Sequence, residues 1–84
     1  MAGLPATAAD RRIGERIQYA RQAAHLTQRA VAAALGVSRP QIHHYEKGTN
    51  CISASSLQIV ADLLGRPITW FLDPRIAPET GEGA

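Results

Sequence analysis

Eighty-four residues, 45% of them hydrophobic and 19% charged, make one small domain near the lower limit for a self-sufficient core. No apolar run is long enough to span a membrane, and a single cysteine, Cys51, excludes an internal disulfide and fits a reducing cytosol. The net charge of +2 says little alone, but residues 11–47 carry seven basic side chains against two carboxylates, a net of +5, whereas residues 48–84 carry −2.

Residues 1–9, MAGLPATAA, have no period, no basic start and a proline, so they read as a disordered N-terminus without a secretory leader. Asp10 can cap a first helix beginning at Arg11, with Ile13, Ile17, Ala20 and Ala24 on one face. Gly14 costs helix propensity there, which points to a close contact. Thr27 caps a second helix, with Leu26 before it as a core plug. Gly36 supplies a tight turn and Ser38 caps a third helix, in whose first turn Pro40 does no harm. Gly48 ends that helix, and the loop TNCIS follows with Ile52 turned inward. Ser53 caps a fourth helix over about 54–64, whose inward face is Leu57, Val60, Ala61 and Leu64. Gly65 stops it, Pro67 prevents its restart, and Thr69 opens a short apolar helix with Trp70, Phe71 and Leu72. Residues 73–84 read as a flexible tail. The domain is therefore all-α and spans residues 10–72.

Residues 28–47, QRAVAAALGVSRPQIHHYEK, carry the functional signal. Two short helices joined at Gly36, with the small Ala32 where the second must cross the first, have the layout of a helix-turn-helix. Placing Ile42 and Tyr45 inward leaves Pro40, His44 and Lys47 outward, with Gln41 and His43 at the edges. Arg39 stands at the helix start, where first-turn side chains reach base edges; it can fork onto guanine, Gln41 can pair with adenine, and His44 could donate to a base or phosphate. Enzyme and metal chemistry fail on inventory. His25, His43 and His44 lack ligand spacing with Cys51 or a carboxylate, no glycine-rich phosphate loop is present, and no nucleophile has an evident base. No cofactor or small-molecule ligand is expected.

These residues resemble the Cro/CI-type (XRE) helix-turn-helix family of transcriptional regulators. The likeness runs from Ile13 to Leu72, through IGERI, LTQ, LGVS, Tyr45–Glu46 before Gly48 and the LxxVAxxLG stretch. The later stretch is similar to a subgroup of small alphaproteobacterial regulators, with Cys51 in place of the usual loop arginine. The resemblance implies a compact five-helix bundle of the lambda-repressor-like type, working in the cytoplasm on the nucleoid. It places base contacts at Arg39, Pro40 and His44, a phosphate-clamping glutamine at Gln28, and loop phosphate contacts near Lys47, Thr49 and Asn50. Ser38 and Arg29 join the phosphate set; Arg29 stands where the family mostly has glutamate, and Ala30 removes the capping-box partner of Thr27. The resemblance also implies a semi-buried salt bridge between Arg21 and Glu46.

Ile59, Leu63, Trp70, Phe71 and Leu72 form the candidate dimer surface, since the family pairs through its last helix; the alternative is that the aromatics close the monomer core. The expected function is a repressor that binds double-stranded DNA as a homodimer on a palindromic operator. The rivals are an antitoxin-type or phage-type repressor, a protein-interaction module using the apolar C-terminal patch, and the DNA-binding part of a longer regulator.

Overall fold

The computed structural model describes residues 7–76. Five helices follow one another: α1 (Ala8–Ala23), α2 (Gln28–Leu35), α3 (Arg39–Lys47), α4 (Ala54–Leu64) and α5 (Ile68–Leu72). Four of them start the same way. The hydroxyl of Thr7, Thr27, Ser38 or Ser53 accepts the backbone N–H three residues on, which satisfies a donor that the first helical turn leaves unpaired. Gly36, Gly48 and Gly65 end α2, α3 and α4 in the left-handed region, with φ of 74°, 76° and 72°. His25 does the same work after α1, at φ 60° and without glycine's freedom.

The start of α1 corrects the sequence expectation. Thr7, not Asp10, is the cap, and the helix begins at Ala8. Asp10 instead closes a capping box, its carboxylate accepting the Thr7 N–H at 2.9 Å. That backbone donor holds the Asp10 carboxyl below its ordinary range. The helix also stops at Ala23, which leaves Ala24 exposed rather than on the core face. Residues 73–76, expected within the tail, turn back so that Ile76 packs against the core, and the remaining expectations for the termini, over residues 1–6 and 77–84, lie outside the described residues.

The core gathers Ile17 and Ala20 of α1, Val31 and Ala32 of α2, Ile42 of α3, the Leu57, Val60, Ala61 and Leu64 face of α4, and Trp70 and Phe71 of α5. Trp70 and Phe71 are 1% and 0% exposed, so they leave the expected dimer surface and close the core of the single chain. The physical reason is the company they keep. Their rings meet edge to face at 4.9 Å, and the Arg66 guanidinium lies 4.1 Å from the indole centroid. Arg16, itself buried, donates to the carbonyl oxygens of Trp70 at 2.6 Å and Asp73 at 2.9 Å, tying α1 to the end of α5. Ile59, Leu63 and Leu72 remain on the surface at 45%, 42% and 42% exposure.

α1 and α3 meet backbone to backbone. A Cβ on Gly14 would overlap the Tyr45 carbonyl oxygen and stand 2.7 Å from that of Glu46. One on Gly48 would stand 2.6 Å from Arg11 Cα. Neither neighbour is a flexible side-chain tip, so the helices would have to separate. Gly14→Ala is expected to destabilise the fold by about 2–3 kcal/mol, lowering the melting temperature by roughly 10–20 °C. Thermal unfolding followed by circular dichroism checks this; a melt within a few degrees of the parent would mean that α1 can lift off α3 freely.

Candidate nucleic-acid interface

α3 has one buried face and one open face. Ile42 and Glu46 are buried and Tyr45 is half-buried against the core, which leaves Arg39, Pro40, His43, His44 and Lys47 exposed and Gln41 half-exposed. The Ser38 hydroxyl accepts the Gln41 N–H, and its own proton stays available to an acceptor outside the chain. Thr49 and Asn50 lie exposed just beyond Gly48.

A chain of polar contacts runs under the start of α3. Arg39 Nη1 donates to Gln28 Oε1 at 3.1 Å, and Gln28 Nε2 donates to Glu46 Oε1 at 3.0 Å. Arg21 completes it from α1, with Nε 2.6 Å from Glu46 Oε2 and Nη2 3.2 Å from Oε1. Its Nη1 also donates to the Leu26 carbonyl at 2.9 Å, which fixes the turn between α1 and α2. Arg21 and Glu46 are thus brought together, with side chains 11% and 2% exposed. Gln28 sits between two partners, and its amide orientation follows from them: oxygen toward Arg39, nitrogen toward the carboxylate.

Thr27, Gln28, Arg29, Arg39 and Arg21 line a concavity at the N-terminus of α2. Arg29 is exposed there, and the positive end of the helix dipole reinforces its charge. Arg21 is neutralised by Glu46, so Arg29, Arg39 and the helix end set the sign of this hollow.

The charge count over residues 11–47 overstated the open positive surface. Arg16 is buried, Arg21 is paired, and half-buried Arg12 donates through Nη2 to the Leu72 carbonyl at 3.3 Å. Arg11, Arg29, Arg39 and Lys47 are the ones that project from the chain. Cys51 lies beside Asp10, whose hydrogen bond and charge push the thiol pKa up. Among the described residues no three His, Cys, Asp or Glu side chains converge, and no helix is long and apolar enough to cross a membrane.

The profile of a helix-turn-helix family matches residues 17–71, from the buried turn of α1 to Phe71 of α5. The chain belongs to the Cro/CI-type (XRE) helix-turn-helix family. The family is one of transcriptional regulators, not of enzymes. An uncharacterized HTH-type transcriptional regulator of Sinorhizobium medicae is 36% identical over 74 residues, covering 88% of this chain and 52% of that protein. A transcriptional regulator in the ATPase CF(0) region of Rhodospirillum rubrum is 42% identical over 72 residues, covering 79% of this chain and 67% of that protein. The chain thus spans about half the length of the first of these relatives. Among solved structures, the P22 c2 repressor in complex with a synthetic operator superposes with a TM-score of 0.67 at 24% identity, over 73% of this chain and 92% of that one. At that identity the likeness shows a shared fold, that of the lambda-repressor-like domains.

In this helix-turn-helix chain, Arg12, Arg16 and Arg66 are the residues that sequence reasoning missed. They hold α5 in place and so support the scaffold behind α3. Gln28 has a second role that was also missed, as the link between Glu46 and Arg39.

Proposed function

We propose that the chain is a sequence-specific regulator of transcription that binds double-stranded DNA with α3 in the major groove. The observation that carries this is the polar start of α3, where Arg39 is held at an open helix end by a network anchored on buried Glu46. Arg39 can fork onto guanine O6 and N7 at the groove floor. Pro40, Gln41, His43 and His44 continue the base-facing surface, with Pro40 limited to packing. The hollow at α2 suits a phosphate, held by Arg29 and by the Gln28 N–H not given to Glu46. Ser38, Lys47 and Asn50 supply further contacts to the DNA backbone, whereas the Thr49 hydroxyl and N–H are turned inward to His44. Arg39→Ala is expected to cost about 1–3 kcal/mol on specific duplex and to relax choice at one base pair. Equal loss on random duplex would assign Arg39 to phosphate alone.

Repression by occupying a promoter is the simplest mechanism for such a domain. Ile59 and Leu63, one turn apart on α4, and Leu72 at the end of α5 are exposed apolar side chains that support pairing of two copies. A two-fold dimer would set its two α3 helices about 34–36 Å apart, on inverted half-sites one turn of duplex apart.

Selection from a random duplex library at physiological salt tests the reading. Two inverted half-sites one helical turn apart are expected, with binding that weakens steeply as salt rises. Recovery of no motif from folded protein would turn the apolar surface toward a protein partner, as in an antitoxin or interaction module, whose binding would resist salt.

A further inference from the structure

We propose that His44 meets the DNA as a hydrogen-bond acceptor, and so selects adenine or cytosine over guanine or thymine on the strand it touches. The inference rests on the reading of α3 as the DNA-facing helix and adds the chemistry of what one residue reads.

Gly48 turns the chain into the left-handed region, and the Thr49 N–H closes the stop by donating to the His44 carbonyl at 3.1 Å. In such a helix stop these two positions usually share an apolar contact. Here they share a polar one. Thr49 Oγ1 lies 3.2 Å from the His44 carbonyl oxygen and 3.0 Å from His44 Nδ1.

Thr49 has one hydroxyl proton to place. The hydroxyl donates to the His44 carbonyl oxygen at 3.2 Å, the arrangement that makes both contacts hydrogen bonds. Turned toward Nδ1 instead, it would leave the carbonyl with the Gly48 and Thr49 N–H groups alone. With the proton on the carbonyl side, Oγ1 accepts and Nδ1 must be the donor. A neutral imidazole carries one N–H, so Nε2 is left as a bare lone pair. Nε2 occupies the ring edge opposite Nδ1, and His44 is exposed on the same face as Pro40 and Lys47.

Every base pair offers one amino group in the major groove, on adenine N6 or cytosine N4, and it lies on one strand. Guanine and thymine present only acceptors at their groove edges. An acceptor at a fixed place on α3 therefore distinguishes amino from keto bases on the nearer strand. The Thr49 hydroxyl acts as a positioning group: it sets which ring nitrogen carries the proton.

Two measurements test this together. The nitrogen shifts of the His44 ring, read by NMR in the free protein at pH 8, are expected to show the proton on Nδ1. Thr49→Val, which keeps the shape and removes the hydroxyl, is expected to release it to Nε2, and Thr49→Ser to restore it. Library selection with His44→Ala identifies the base position concerned. There the parent is expected to favour adenine or cytosine by at least about fivefold, and Thr49→Val to lose that preference while other positions keep theirs. A proton on Nε2 in the parent overturns the proposal. So does a Thr49→Val motif unchanged at that position. Failure of every variant, and of the parent, to enrich any motif would overturn the DNA reading itself; the ring assignment, made without DNA, tells the two failures apart.

Discussion

Glu46→Ala is expected to abolish DNA binding by unfolding the domain. The Glu46 carboxylate is buried and accepts from Arg21 and Gln28, so one side chain joins α1, α2 and α3. Removing it strands the Arg21 guanidinium, whose side chain is 11% exposed, without its counter-charge. Breaking one side of such a pair typically costs about 3–5 kcal/mol. A chain of this size has a total stability of roughly 4–13 kcal/mol, so much of the margin would go. The melting temperature is expected to fall by roughly 15–30 °C. Circular dichroism melts of the parent, Glu46→Ala and Glu46→Gln check it, with Glu46→Gln expected in between because it keeps an acceptor. A folded Glu46→Ala variant with the parent's melting temperature would refute the structural role.

Trp70→Ala is the second large effect, and its direction differs from the one the sequence implies. On a dimer surface, the indole could be removed to leave a folded monomer. Buried at 1% exposure, with Phe71 edge-on and the Arg66 and Arg16 guanidiniums 4.1 and 5.8 Å from its centroid, it is part of the core. Its loss is expected to destabilise by about 3–5 kcal/mol and to leave Arg16 and Arg66 facing a cavity. Sedimentation together with a thermal melt separates the two readings. Unfolded or aggregated protein agrees with the core position; a well-folded monomer would return Trp70 to the interface. Leu63→Asp, at a position 42% exposed, is the matched control and is expected to fold.

The contrast between these residues shows where sequence reasoning reached and where it stopped. Thr27, Ser38, Ser53 and the three left-handed glycines were legible because each imposes its geometry locally. The open face of α3 was legible too, since Ile42 and Tyr45 fix which side must turn inward. Thr7 was not: it lies in a run of small residues, and its partner three residues on is an aspartate instead of the more familiar glutamate. Arg12 and Arg16 looked like surface cations. The carbonyl oxygens that take them belong to Leu72, Trp70 and Asp73, more than fifty residues away, and come within reach only once α5 docks. Within α5, the burial of Trp70 and Phe71 and the exposure of Leu72 are set by that same docking, which a five-residue helix does not reveal. At the interface, the hold on Gln28 joins residues 11 and 18 positions apart and has no local signature.

The bare contact between α1 and α3 has a consequence for how such a reader can change its target. Helices separated by side chains can tilt when those side chains are exchanged, and a tilt would re-aim the whole reading surface at once. Here Gly14 lies against the Tyr45 and Glu46 carbonyls and Gly48 against the Arg11 backbone, with no interlayer to resize. The inclination of α3 is therefore a constant of the scaffold. On the reading proposed above, new operators would become accessible by exchanging outward letters at Arg39, Pro40, Gln41, His43 and His44 one at a time, each change leaving the alignment of the others intact.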